Sequence, residues 1–204
     1  MGRFGAKRPQ QTRDTLPIVL IVCDDSKTAP AYFEEVRAQA KGKCTIRVIA
    51  APRHGATGSD VIECAVNQKR QLSEQSGASV WAAVDLEMAH DSKTLEEALR
   101  KKAKKHGVEL TISQPCFEVW VLAHFIDSGR QFDSCDAVLH EVKKRWETDF
   151  GHTFPQKKAQ ADYQKLMDKI KTAVNHAKPR GALNSGSWTE VWRIAERIMT
   201  HLEN

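Results

Sequence analysis

Three groups of acidic residues sit where short apolar runs give way to helical patterns. Cys23-Asp24-Asp25-Ser26-Lys27-Thr28 follows the run from Ile18 to Val22. Asp85-Leu86-Glu87 follows Ser79 to Val84, and Pro115-Cys116-Phe117-Glu118 follows Val108 to Ile112. Short apolar runs that alternate with helical patterns predict parallel strands in an α/β sheet. Ligands of such sheets bind outside the carboxyl ends of the strands. Carboxylates gathered there are placed to hold a hard divalent cation, Mg²⁺ or Mn²⁺, through oxygen. A cation held in this way can stabilise charge on a phosphodiester and help generate hydroxide. The plainer role for the same residues is local, since Asp and Ser after a strand also form turns and cap helices.

Asp85 and Glu87 are two apart, so both project the same way from an extended strand end. Glu118 opens an apolar stretch holding Phe117, Val119, Trp120, Val121, Leu122 and Phe125. A carboxylate there gains from the helix dipole. Burial without a partner would be costly, so a base or a metal must answer it. Lys27, on the first strand's edge, is the candidate base.

The elements that position these residues follow from periodicity and from cap residues. Strands are predicted over 17–23, 44–50, 79–84 and 108–112. Helices are predicted over 29–41, with Thr28 as N-cap, from Ser59 to about Gln75, and from Asp91 or Ser92 to about His106. Beyond Pro115 the pattern is helical, with candidates at 115–127, 133–148, 160–177 and 188–202. Breaks are expected at Gly151 to Pro155 and at Pro179 to Ser187. The expected architecture is an open, mainly parallel sheet of about four strands, the first and third adjacent, flanked by helices. Residues 1–15 read as a flexible basic arm, 16–129 as the α/β domain, and 130–204 as a helical extension packed on it.

The 204 residues carry a formal charge of +5, with 41% hydrophobic and 28% charged residues. That is ordinary globular composition. No apolar stretch reaches the roughly 20 residues that span a bilayer. No secretory h-region is present, and five scattered cysteines without a C-x-x-C pair suit a reducing cytoplasm. The positive charge is clustered in the first segment, over Arg100 to Lys105, and around Lys143 to Lys158. Lys101, Lys102, Lys104 and Lys105 are candidate phosphate contacts for a nucleic acid. A solvated helix face is the alternative.

The motifs resemble those of RloB-like proteins. Val22 to Thr28 followed by Tyr32-Phe33 is similar to the family's opening motif, and Trp81 to Glu87 to its strand ending in Asp-x-Asp. Ser113-Gln114-Pro115-Cys116-Phe117-Glu118-Val119-Trp120-Val121-Leu122-Ala123-His124-Phe125 resembles its most specific motif. The likeness covers roughly residues 17–200, with Tyr163, Lys165, Ala173, Asn175, Ala177, Asn184 and Thr189 similar to the family's end. The resemblance implies a TOPRIM-like domain and a Mg²⁺-dependent phosphodiester enzyme of bacterial or archaeal anti-phage loci, with a companion ATPase encoded nearby. It maps the family's acidic residues to Asp24, Asp85, Glu87 and Glu118. Asp24 stands for a glutamate, Asp25 for a glycine and Glu87 for an aspartate.

Two functions are therefore expected to compete. One is a nuclease acting on DNA or RNA, with metal on Asp24, Asp85 and Glu87. In it Glu118 completes the site or orients Lys27, and Lys27 contacts the phosphate. The other is a TOPRIM-like subunit that has lost catalysis and binds nucleic acid or protein.

Overall fold

The computed structural model describes residues 16–50, 55–72, 77–86, 92–127, 129–183 and 186–203. The arm expected over 1–15, the loop from Pro52 to His54, Glu87, the cap Asp91 and Asn184 lie outside these residues.

The strands are β1 (Ile18–Cys23), β2 (Thr45–Ile49), β3 (Ser79–Asp85), β4 (Glu109–Gln114) and β5 (Trp188–Thr189), in the order β2-β1-β3-β4-β5. The first four are parallel, β1 lies beside β3, and β5 pairs antiparallel with β4. The expected α/β sheet is thus observed, with a fifth strand that periodicity does not reveal. Its helices are α1 (Thr28–Gln39), α2 (Gly58–Gln71), α3 (Ser92–His106), α4 (Glu118–Ala123), α5 (Cys135–Phe150), α6 (Ile170–Leu183) and α7 (Trp192–Glu203). Two 3₁₀ segments, Lys158–Gln160 and Tyr163–Lys169, precede α6.

β1, and β3 between Ser79 and Asp85, are apolar because both faces are covered. Leu20, Val22, Val80, Ala82 and Val84 point into one core with Val61, Ile62 and Leu99 of α2 and α3. Val19, Ile21, Cys23, Trp81 and Ala83 point into the other, with α1, α4, α5, α6 and α7. The second core therefore joins the central strands to chain beyond residue 130. Gly58 opens α2 against the sheet, where a Cβ would meet Val84 Cγ1 at 2.6 Å. Only glycine allows that approach.

Several local expectations are corrected. Trp188 and Thr189 form β5 rather than a helix start. The Trp188 indole donates to Gln114 Oε1 at 2.8 Å, and Glu190 N donates to Ile112 O at 2.8 Å. These contacts cover the edge of β4 that would otherwise stay unpaired. The helix expected over 115–127 shrinks to α4, because side chains take carbonyls of its last turn. His124 Nδ1 bonds Trp120 O at 2.9 Å, and His176 Nδ1 bonds Ala123 O at 2.8 Å. Helix α6 runs through Pro179 instead of breaking there. Its neighbours Lys178 and Arg180 are each tied at 2.6 Å, to Glu196 and Asp127. The α2 cap is Thr57, reciprocally bonded to Asp60, rather than Ser59.

Candidate functional site: an acidic cleft at the carboxyl edge

β1 and β3 end side by side, so Asp24 and Asp85 meet. Asp24 N donates to Ala83 O at 2.9 Å, which carries the pairing one residue past β1. The Asp24 carboxylate then accepts Asp85 N–H at 3.0 Å. Asp25 turns to α1 and accepts Thr28 N–H at 2.7 Å and Ala29 N–H at 3.1 Å. Asp25, not Thr28, therefore caps α1. The Thr28 hydroxyl donates instead to Glu118 Oε1 at 2.7 Å, across 90 residues of sequence.

Glu118 reaches the same place from the first turn of α4. It is buried, and Lys158 Nζ donates to its Oε1 at 2.7 Å. The partner required by its burial is Lys158, not Lys27. Lys27 lies exposed on the rim. The Lys158 backbone is held in turn by the buried Tyr163, whose hydroxyl donates to Lys158 O at 2.9 Å. Sequence reading placed Lys158 only within a basic cluster. Its role depends on a contact 40 residues away that periodicity cannot show.

A cleft of about 440 Å³ opens here, lined by Asp24, Asp25, Lys27, Asp85, Glu118 and Lys158, with Cys116 and Cys135 at one side. Burial pushes the Asp85 carboxyl well above the usual carboxylate range, and the charges of Glu118, Asp24 and Asp25 add to that; the Phe117 N–H opposes it. Burial also raises Asp25, against its cap hydrogen bonds. Burial would raise Glu118 as well, but the hydrogen bond and charge of Lys158 outweigh it and the carboxyl is held low. Environments that push neighbouring carboxyls apart mark sites where one group holds a proton and another holds charge.

The donors suit a hard cation, since all are carboxylate oxygens and their mutual repulsion is what a cation would relieve. Among the described residues, no three carboxylate, imidazole or thiol side chains are grouped so as to hold a metal ion. Asp24 and Asp85 form an open pair instead. All five cysteines are thiols.

The basic candidates lie elsewhere. Helix α3 leaves the carboxyl edge and returns to the amino edge, so its last turn sits beside the start of β4. Lys101, Lys104 and Lys105 are exposed there. Lys102 is tied to Ser59 and Glu63 of α2.

Fold and cleft together define a doubly covered α/β protein with its carboxylates at the strand ends. The chain belongs to the RloB-like protein family, whose model matches residues 19–202. Comparison with curated proteins and with solved structures finds no match. Among the described residues, no helix is long and apolar enough to cross a membrane.

Proposed function

We propose that this protein is a TOPRIM-like, Mg²⁺-dependent nuclease that hydrolyses DNA or RNA phosphodiesters, acting in the cytoplasm in anti-phage defence. The observation that carries the reading is the meeting of Asp24 and Asp85 at the carboxyl edge, with Asp85 burdened by neighbouring negative charge. Mg²⁺ or Mn²⁺ would be held by Asp24, Asp85 and Glu87, and would stabilise charge at the phosphate and supply an activated water. An open pair suits Mg²⁺, which keeps several waters and takes one or two carboxylates plus substrate phosphate.

The chain's own groups do the rest. Lys27 on the rim and Lys158 in the cleft are point charges suited to a phosphate. Glu118 fixes Lys158 through a hydrogen bond and so orients it. Lys101, Lys104 and Lys105 add phosphate contacts that carry no sequence information. A companion ATPase is the further partner that the family reading brings.

A second reading, a catalytically silent binding subunit, draws support from how engaged the carboxylates already are. Asp24 accepts a backbone N–H, Asp25 caps a helix, and Glu118 is neutralised by Lys158. The two readings part on Asp85→Ala. For the nuclease, Mn²⁺ raises the melting temperature of the unaltered protein and supports cleavage of DNA or RNA. Asp85→Ala loses both, while its metal-free melting temperature holds or rises. Nucleic-acid binding without cleavage or any response to Mn²⁺ would select the second reading.

A further inference from the structure

Cys116 and Cys135 come from different elements and meet at the side of the acidic cleft. Cys116 lies between β4 and α4 and is buried; Cys135 is the first residue of α5 and is half-buried. The Cys116 thiol is in hydrogen-bond contact with Cys135 and also with the Glu118 carboxylate. Both cysteines line the open cleft, and the half-buried Cys135 is the one that a small oxidant meets first from solvent.

We infer that Cys116 and Cys135 are a redox-modifiable dithiol that closes to a disulfide with hydrogen peroxide and thereby alters the setting of Glu118. The geometry assigns the two sulfurs different parts. Cys135 is half-buried in the first turn of α5, where the helix dipole favours negative charge. Contact with Cys135, burial and the charge of Glu118 all push the Cys116 thiol up, so Cys116 is the second to react.

In the first step the Cys135 thiolate attacks one peroxide oxygen. The O–O bond breaks, hydroxide leaves and takes a proton to become water, and Cys135 becomes a sulfenic acid. In the second step the Cys116 sulfur attacks the Cys135 sulfur. The S–O bond breaks, and the hydroxide released takes up the Cys116 proton as water. Two thiols and one peroxide thus give one disulfide and two waters. Cys116 then has no S–H to donate, so Glu118 loses one of its donors and depends on Lys158 and Thr28. The cross-link also fastens the start of α5 to the β4–α4 corner beside the cleft.

The test uses the full chain treated with hydrogen peroxide, alkylated and digested with trypsin without reduction. Cleavage after Lys105, Arg130 and Lys143 places Cys116 alone in one peptide and Cys135 alone in the next. The expected product is those two peptides joined, two hydrogens lighter than their sum and separated by reductant. Cys135→Ser should abolish it, and Cys64→Ser, at a half-buried thiol of α2, should leave it unchanged. Recovery of Cys116 and Cys135 as unlinked peptides, while other cysteines pair, would overturn the inference. The readout is a mass and needs no nuclease activity, so it stands or falls apart from the proposed function.

Discussion

The two ends of the sheet handle charge in opposite ways. At the amino edge, Arg100, Lys104 and Arg193 surround a hollow of about 320 Å³. The arginines there are answered in pairs: Arg100 by Glu96 and Glu190, and Arg193 by Glu109 and the Leu110 carbonyl. At the carboxyl edge, Asp24, Asp25, Asp85 and Glu118 crowd together, and Asp85 is held off its usual pKa by its neighbours as well as by burial. Pairing charges one by one is what a surface selected for solubility and stability does. Concentrating like charge in a partly buried cleft costs stability, and functional sites are where such costs are found.

The strongest way to break this contrast is to remove Lys158, the cation that answers Glu118 among the described residues. Lys158 is 30% exposed and Glu118 only 5%, so Lys158→Ala leaves a carboxylate in a poorly solvated place. The expected loss is roughly 3 kcal/mol, the low end for an orphaned buried pair. In a chain of this size that lowers the melting temperature by about 6–12 °C. A Glu118→Gln/Lys158→Met double variant should recover most of it, because no charge is then stranded. If the single variant melts like the parent, Glu118 does not depend on Lys158.

That contrast also shows which parts of the molecule could be read from sequence. Strand ends and the acidic residues after them are local patterns, and Asp24, Asp85 and Glu118 do converge. The identity of Glu118's partner is not local: Lys158 arrives on a 3₁₀ turn that Tyr163 anchors, and Lys27, nearer in sequence to the other carboxylates, stays on the rim. β5 escaped for a related reason. Two residues carry no period, and Trp188 and Thr189 become a strand only because β4 offers an open edge. Helix ends went astray where side chains from afar replaced local caps, as His176 does for α4. Asp25 shows the converse case, a residue grouped with the candidate ligands whose hydrogen bonds are those of an ordinary helix cap.

A smaller effect, of opposite sign, comes from Asp85. Its folded pKa is raised above the ordinary 3.8. The folded state therefore holds the proton more tightly, and this group's stabilising share is complete below that value and is lost as pH rises through the folded pKa. Glu118 runs the other way: its folded pKa is lowered from 4.5, so its contribution is present above that value and disappears as pH falls through the folded pKa. Asp85→Asn should thus raise the metal-free melting temperature at pH 7 by about 2–4 °C, the shift that 1 kcal/mol makes in a chain of this length. The gain should shrink toward zero as pH approaches 3.8. Glu118→Gln should show its loss at neutral pH and approach the parent in acid. Melting curves across pH 3–8 would decide it, and a loss for Asp85→Asn at pH 7 would make Asp85 a structural cap.

The smallest expected change in stability lies at the amino edge. Lys104 and Lys105 stand in the last turn of α3, where positive charge is favoured by the helix dipole. Both are exposed, so reversal to glutamate should cost each position only about 0.5 kcal/mol or less. Their effect on nucleic acid sharpens the comparison further. Each phosphate contact releases counterions, so losing two should flatten the slope of log affinity against log salt by about 2. The loss should be of similar size for unrelated sequences, because phosphate contacts read no bases. Binding of DNA and RNA measured from low to high salt gives the slope directly. A flattened slope would place nucleic acid along both edges of the sheet, reaching from these lysines to the acidic cleft. An unchanged slope would confine it to the carboxyl edge and leave Lys104 and Lys105 as the solvated end of a helix.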